Sequence, residues 1–235
     1  MRIYLDYGAS SRSWVVRVSA RIKICGMKRP EHVRSAVAAG AHAVGLVFID
    51  ASSRCVSVAQ AKVLAAEVPP FVIAVGLFLN PTEQQVRAAV QGVALQCLQF
   101  HGDETDSFCS QFGLPYIKAV QVSAPVNGAA LAARYANAQG IHLDAAVTGQ
   151  AGGTGQRFDW AWFPKDNAKP WILAGGLNAA NVADAIRTLR PYAVDVSSGV
   201  ESTPGIKDPQ RIAAFCDAVR QGNLALDADS DPGPR

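Results

Sequence analysis

Short apolar runs recur along this chain. Between them lie stretches in which apolar residues return every three or four positions. The runs are rich in Val, Ile, Leu and Phe, as strands buried on both faces are. They predict strands at 21–25, 43–48, 71–79, 95–100, 116–121, 141–144, 171–174 and 193–196. The spaced stretches predict helices at 31–39, 58–68, 83–91, 104–112, 128–137, 178–189 and 209–220, with a short turn of helix near 159–163. Local signals agree with these limits. Gly26 breaks the first strand, Pro30 suits an early helical position, and Gly40 ends the helix that follows. Asn178 is placed to cap the helix at 178–189. Strict strand–helix alternation with short connections argues for a parallel sheet under helical cover. Eight such units favour closure over an open sheet. The fold class is α/β, an eightfold (β/α) TIM barrel in a single domain over 20–221.

The most informative stretch is 173–208. The strand at 171–174 runs into Gly175-Gly176, and the strand at 193–196 runs into Ser197-Ser198-Gly199. A strand ending in a glycine-bearing turn leaves backbone N–H groups without partners. Two neighbouring ends of this kind make a nest of donors for one phosphate. In a β/α barrel the loops after the last two strands form that site.

Composition narrows the picture. The chain has 235 residues, 49% hydrophobic and 17% charged, which suits one sizeable core. A net charge of +3 is too small and too evenly spread to suggest nucleic acid. No apolar run approaches the ~18–20 residues of a membrane span. The five cysteines are odd in number and form no CxxC pair, so neither a disulfide framework nor a zinc site is expected, and a reducing cytoplasm is the natural setting. Residues 1–19 lack the apolar core of a signal peptide. They are expected to be a disordered extension or a misassigned start. The Asp-, Ser- and Pro-containing stretch 222–235 is expected to be a disordered acidic tail.

The active face of a barrel collects the C-terminal ends of its strands. This chain places Cys25, Arg54, Asn80, His101, Gln121, Asp144 and Asp195 there, beside the two glycine turns. Cys25 and Asp144 could transfer protons, from strands one and six. Cys97, Cys109 and Cys216 read instead as small buried hydrophobes. A thiol with a pKa of ~8.5 is a weak base at neutral pH unless a cation lowers it. Lys23 lies two residues back on the same strand face, although a solvated strand-end lysine would look the same. Asp144 could cap the next turn or act as a general acid under a mobile cover, for which the glycine-rich loop 148–155 is suited. Arg54 is the candidate for a substrate carboxylate, which a guanidinium matches bidentately, against the plainer reading of a solvated loop arginine. His101 could pack, bond a carbonyl or meet the substrate. Gly152-Gly153-Thr154-Gly155 is not a P-loop, because no Gly-Lys-Ser/Thr follows.

Ile22-Lys-Ile-Cys-Gly-Met, Ser53-Arg54, Gln99-Phe-His-Gly-Asp, Gly152-Gly-Thr-Gly, Leu173-Ala-Gly-Gly-Leu, Asp195-Val-Ser-Ser-Gly-Val-Glu and Gly205-Ile-Lys-Asp occur in this order. Together, from about residue 21 to 221, they resemble the phosphoribosylanthranilate isomerase family. The resemblance implies an aldose–ketose isomerisation in tryptophan biosynthesis, the Amadori rearrangement of N-(5′-phosphoribosyl)anthranilate. It implies Asp144 as general acid and Cys25 as general base. It also implies Arg54 at the anthranilate carboxylate, His101 and Asp195 near the substrate, and Gly175, Gly176, Ser198 and Gly199 at the phosphate. No metal or organic cofactor is implied. The partner is a small phosphoribosyl substrate, with no nucleic acid or membrane, in a monomer or homodimer. Cys55 stands where an aromatic side chain is expected, which bears on the anthranilate pocket. The alternatives are the histidine-pathway aminoimidazole isomerase, indole-glycerol phosphate synthase, and a ribose-phosphate-binding barrel that has lost catalysis. The first is expected to use an aspartate pair and the second a lysine–glutamate set. Cys25 with Asp144 matches neither, and their presence argues against the third.

Overall fold

The computed structural model describes residues 19–145, 159–166 and 168–228. Eight parallel strands close into a barrel in sequence order, each hydrogen-bonded to the next and the last to the first. They are β1 Arg21–Cys25, β2 Ala43–Val47, β3 Ile73–Phe78, β4 Cys97–Phe100, β5 Tyr116–Val122, β6 Gly140–Ala145, β7 Trp171–Leu173 and β8 Ala193–Val196. The helices are α1 Pro30–Ala38, α2 Val58–Ala65, α3 Glu83–Gly92, α4 Asp106–Ser110, α5 Gly128–Arg134, α6 Val182–Leu189 and α7 Pro209–Ala228.

Strand side chains alternate between two environments. Outward residues such as Ile22, Ile24, Val44, Leu46, Leu98 and Phe100 pack under the helices in the main core. Inside the barrel, Cys25, Val47, Val75, Leu77 and Cys97 form a separate apolar cluster. The interior also holds polar groups, because Lys23, Gln99, His142 and Asp195 are all buried there. Apolar packing on one side and paired polar groups on the other therefore fill the barrel beneath its mouth.

Several expectations need correction. The helix expected at 178–189 begins only at Val182. Asn178 Oδ1 accepts from the Ala180 amide and Asn181 Oδ1 from the Asn178 amide, so these side chains tie a turn before the helix instead of capping it. The segment near 159–163 is one 3₁₀ turn, Trp160–Trp162. The helix expected to end at 220 continues to Ala228, so 222–228 is not a disordered tail. Gly222 lies flat on Ala183, and Asn223 both donates to and accepts from the Ala20 backbone, which anchors that extra length. A two-stranded hairpin, β9 Glu201–Thr203 and β10 Ile206–Lys207, follows β8 and was not expected. The extension expected at 1–19 falls outside the described residues except for Ser19, as do the glycine-rich loop 148–155 and the end of the tail.

Candidate active site

The barrel mouth opens into a cavity of about 370 Å³, within the size range of small-ligand pockets. Cys25, Arg54, His101, Asp144, Gly175, Gly176, Asp195 and Ser198 all line it. Gly199 sits just behind, where a Cβ would collide with the Leu177 carbonyl oxygen, so it lets the two terminal turns close on each other. Gly175 and Gly176 both take left-handed backbone conformations, with φ of 80° and 65°. Among the described residues, nothing accepts from the amides of Gly175, Gly176 or Ser198. The two turns thus leave backbone donors free at the cavity rim.

Cys25 is buried at the cavity floor, beside Gly45, where a Cβ would lie 2.7 Å from its sulfur. It ends β1, and the inner apolar cluster encloses it. Burial pushes its thiol up from the usual value, while the neighbouring Lys23 pulls it back. Lys23 is not the solvated lysine that sequence alone allows, being only 4% exposed. Its Nζ donates to Asp195 Oδ2 at 2.6 Å, and His142 Nε2 lies 2.9 Å from the same oxygen. Asp195 is held at a pKa of about 2, because Lys23 and His142 overcome the opposing effect of burial. Its other oxygen, Oδ1, is buried with no hydrogen-bond partner among the described residues, in the cavity wall.

His101 stacks obliquely on His142, with ring centroids 5.4 Å apart, and its Nε2 lies 2.7 Å from the Gln99 amide. Burial, with His142 and Lys23 nearby, holds it well below the usual histidine range, so the ring is neutral. Asp144 reaches the cavity from β6, where its strand neighbour is Gln121. Cys25 and Asp144 therefore arrive at one cavity from β1 and β6.

Arg54 is not a solvated loop arginine. Its Nε and Nη2 donate to Glu201 Oε1 and Oε2, both at 2.8 Å. Gly26, at φ 83°, makes room for its stem, since a Cβ there would lie 2.6 Å from Arg54 Cδ. Glu201 and Lys207 lie in motifs quoted above but received no role, and His142 read as an ordinary strand residue. The signal available for the first two was Pro204-Gly205, a turn dipeptide between two charged positions. Cys97, Cys109 and Cys216 are buried and unpaired, as expected. Among the described residues no cluster of His, Cys, Asp and Glu could hold a metal ion, and no helix is long and apolar enough to cross a membrane.

Comparison with known proteins agrees with this geometry. A family model described as N-(5′-phosphoribosyl)anthranilate (PRA) isomerase matches residues 22–218. The N-(5′-phosphoribosyl)anthranilate isomerase of Pseudomonas savastanoi pv. phaseolicola is 51% identical over 201 residues, covering 86% of this chain and 98% of the relative. That of Neisseria meningitidis serogroup C is 49% identical over 195 residues, 83% of this chain and 94% of the relative. The crystal structure of the Thermotoga maritima phosphoribosyl anthranilate isomerase superposes with a TM-score of 0.78 at 37% identity, covering 86% of this chain and 98% of the other. A phosphoribosyl anthranilate isomerase in complex with reduced 1-(o-carboxyphenylamino)-1-deoxyribulose 5-phosphate gives 0.75 at 36% identity, with the same coverage.

Proposed function

This chain belongs to the N-(5′-phosphoribosyl)anthranilate isomerase family, and from that premise we propose that Cys25 is the base and Asp144 the acid of its reaction. The enzyme converts N-(5′-phosphoribosyl)anthranilate to 1-(2-carboxyphenylamino)-1-deoxyribulose 5-phosphate, the Amadori step of tryptophan biosynthesis. In our reading, Asp144 protonates the furanose ring oxygen, the C1′–O bond breaks, and the nitrogen lone pair forms a Schiff base. Cys25, as thiolate, takes the C2′ proton, leaving an enol amine. Gain of a proton at C1′ and loss of one from O2′ gives the ketone, so no atom is gained or lost overall.

What supports this reading is that one acid and one thiol from distant strands share a cavity that the two glycine-bearing turns also line. The terminal turns at Gly175-Gly176 and Ser198-Gly199 hold the phosphate through backbone N–H groups. Arg54 meets the anthranilate carboxylate. Asp195 Oδ1 accepts from a ribose hydroxyl, and neutral His101 adds a polar contact. Lys23 stabilises the thiolate once its proton has left, offsetting the burial that otherwise disfavours it. One chain carries the whole set, so a monomer suffices whether or not two copies associate. Five unpaired cysteines suit a cytoplasmic setting.

The test is turnover of phosphoribosylanthranilate, made in situ, followed by loss of anthranilate-type fluorescence. The parent is expected to react rapidly and Asp144→Asn to lose the reaction. A folded parent protein without turnover would sink the assignment and leave the cavity as a phosphate-ligand site.

A further inference from the structure

Arg54 and the phosphate turn are tied together by two buried charges with no part in the proton transfers. Glu201 Oε1 accepts from Arg54 Nε at 2.8 Å and from Lys207 Nζ at 2.7 Å. Its Oε2 accepts from Arg54 Nη2 at 2.8 Å. Lys207 Nζ goes on to the Ser197 carbonyl at 2.9 Å and to Ser197 Oγ at 3.3 Å. Ser197 Oγ donates to the carbonyl of Cys25 at 3.1 Å. The side chains of Glu201 and Lys207 are 3% and 0% exposed, so the middle of this chain of contacts is buried while Arg54 and Ser197 reach the cavity. The hairpin that carries them also grips the Arg54 loop. Gly205 lies against the Ser53 carbonyl, to which Lys28 Nζ donates at 2.8 Å.

A guanidinium offers two forks for bidentate bonding, a side fork from Nε and one terminal nitrogen, and an end fork from the two terminal nitrogens. Glu201 occupies the side fork. Only the end fork remains for a ligand, and Arg54 lines the cavity. Without Glu201, the long side chain would sample several rotamers and lose them again on binding.

We infer that Glu201 is a positioning residue that sets selectivity for the anthranilate carboxylate by holding the end fork of Arg54 toward the cavity, with Lys207 tying that hold to the phosphate turn. This rests on the reading that Arg54 meets the carboxylate. Arg54 acts on the ligand directly, and Glu201 acts through it.

The experiment measures the Kd of two stable ligands by titration calorimetry. One is the reduced product analogue, reduced 1-(o-carboxyphenylamino)-1-deoxyribulose 5-phosphate. The other is its counterpart lacking the carboxylate. The ratio of the two Kd values reports carboxylate selectivity alone, whereas a merely structural loss moves both together. Arg54→Ala is expected to bring the ratio near one. Glu201→Gln is expected to lower it about tenfold, from loss of a pre-ordered charged donor, while the Kd of the carboxylate-free ligand stays within about threefold of the parent. Should Glu201→Gln fail to fold, Glu201→Asp keeps the charge on a shorter arm and is expected to lower the ratio about threefold. A parental ratio in a folded Glu201 variant, with the ratio lost in Arg54→Ala, overturns this inference alone. A parental ratio in Arg54→Ala overturns the reading of Arg54 itself.

Discussion

Replacing Lys23 by Met removes one charge from the barrel interior and leaves buried Asp195 with His142 as its remaining partner. Lys23 Nζ lies 2.6 Å from Asp195 Oδ2, with both side chains 6% exposed. Asp195 has a pKa of about 2 against an ordinary 3.8, and Lys23 is the largest influence holding it down against burial. At about 1.4 kcal/mol per pH unit, that preference for the ionised carboxylate is worth about 2.5 kcal/mol at neutral pH. Breaking a buried pair by removing one partner costs about 3–5 kcal/mol. The two figures meet near 3 kcal/mol. For a domain of this size each kcal/mol moves Tm by about 2–4 °C, so Lys23→Met should melt about 6–12 °C below the parent at pH 7. The pH dependence follows from the sign. A depressed folded pKa gives stability that is present above pH 3.8 and fades as pH falls toward 2. In the variant, burial raises the carboxyl, so acid neutralises it and relieves the strain. The gap between parent and variant should therefore narrow from pH 7 to pH 3. Melting both proteins across that range is the assay. The double variant Lys23→Met/Asp195→Leu, which has no stranded charge, should recover more than half of the loss. A gap below about 2 °C at pH 7, or one that stays constant in acid, would refute the reasoning.

Three further outcomes follow from close packing. Gly45→Ala places a Cβ 2.7 Å from Cys25 Sγ, so the thiol must move; kcat should fall at least about tenfold with KM little changed, and an unchanged kcat would show that the sulfur position is not critical. Gly199→Ala drives a Cβ into the Leu177 carbonyl oxygen and must part the two phosphate turns. Inorganic phosphate should then inhibit at least about tenfold more weakly, and undiminished inhibition would place the phosphate elsewhere. Asn223→Ala removes two bonds to the Ala20 backbone, which should cost about 1–2 kcal/mol. A melt within error of the parent would mean that the far end of α7 adds nothing to stability.

The barrel was legible because parallel strands covered by helices leave their outward residues uniformly apolar, and the strand ends could be read from glycine. The same logic puts Cys25, Asp144 and both glycine-bearing turns on one face, where they share a cavity. What stayed hidden depends on pairing across the sequence. Arg54 and Glu201 are joined through loops after β2 and β8, which become neighbours only when β8 closes against β1. A hairpin with strands of three and two residues has too few positions to show a period. His142 and Gln99 look like ordinary strand interior until closure turns alternate residues into a sealed interior. The start of α6 is hidden in the sequence because Asn178 and Asn181 are equally good caps by composition, and only their mutual bonding decides between them.

The most direct test of the central claim sets turnover against binding in Cys25→Ala and Asp144→Asn. The account predicts that kcat for phosphoribosylanthranilate falls about 10²–10⁴-fold in each, as loss of a positioned acid or base does. Both should bind the reduced product analogue within about threefold of the parent, because neither group anchors the phosphate or the carboxylate. Turnover near the parent value in either variant would contradict the account, as would a loss of turnover matched by an equal loss of binding.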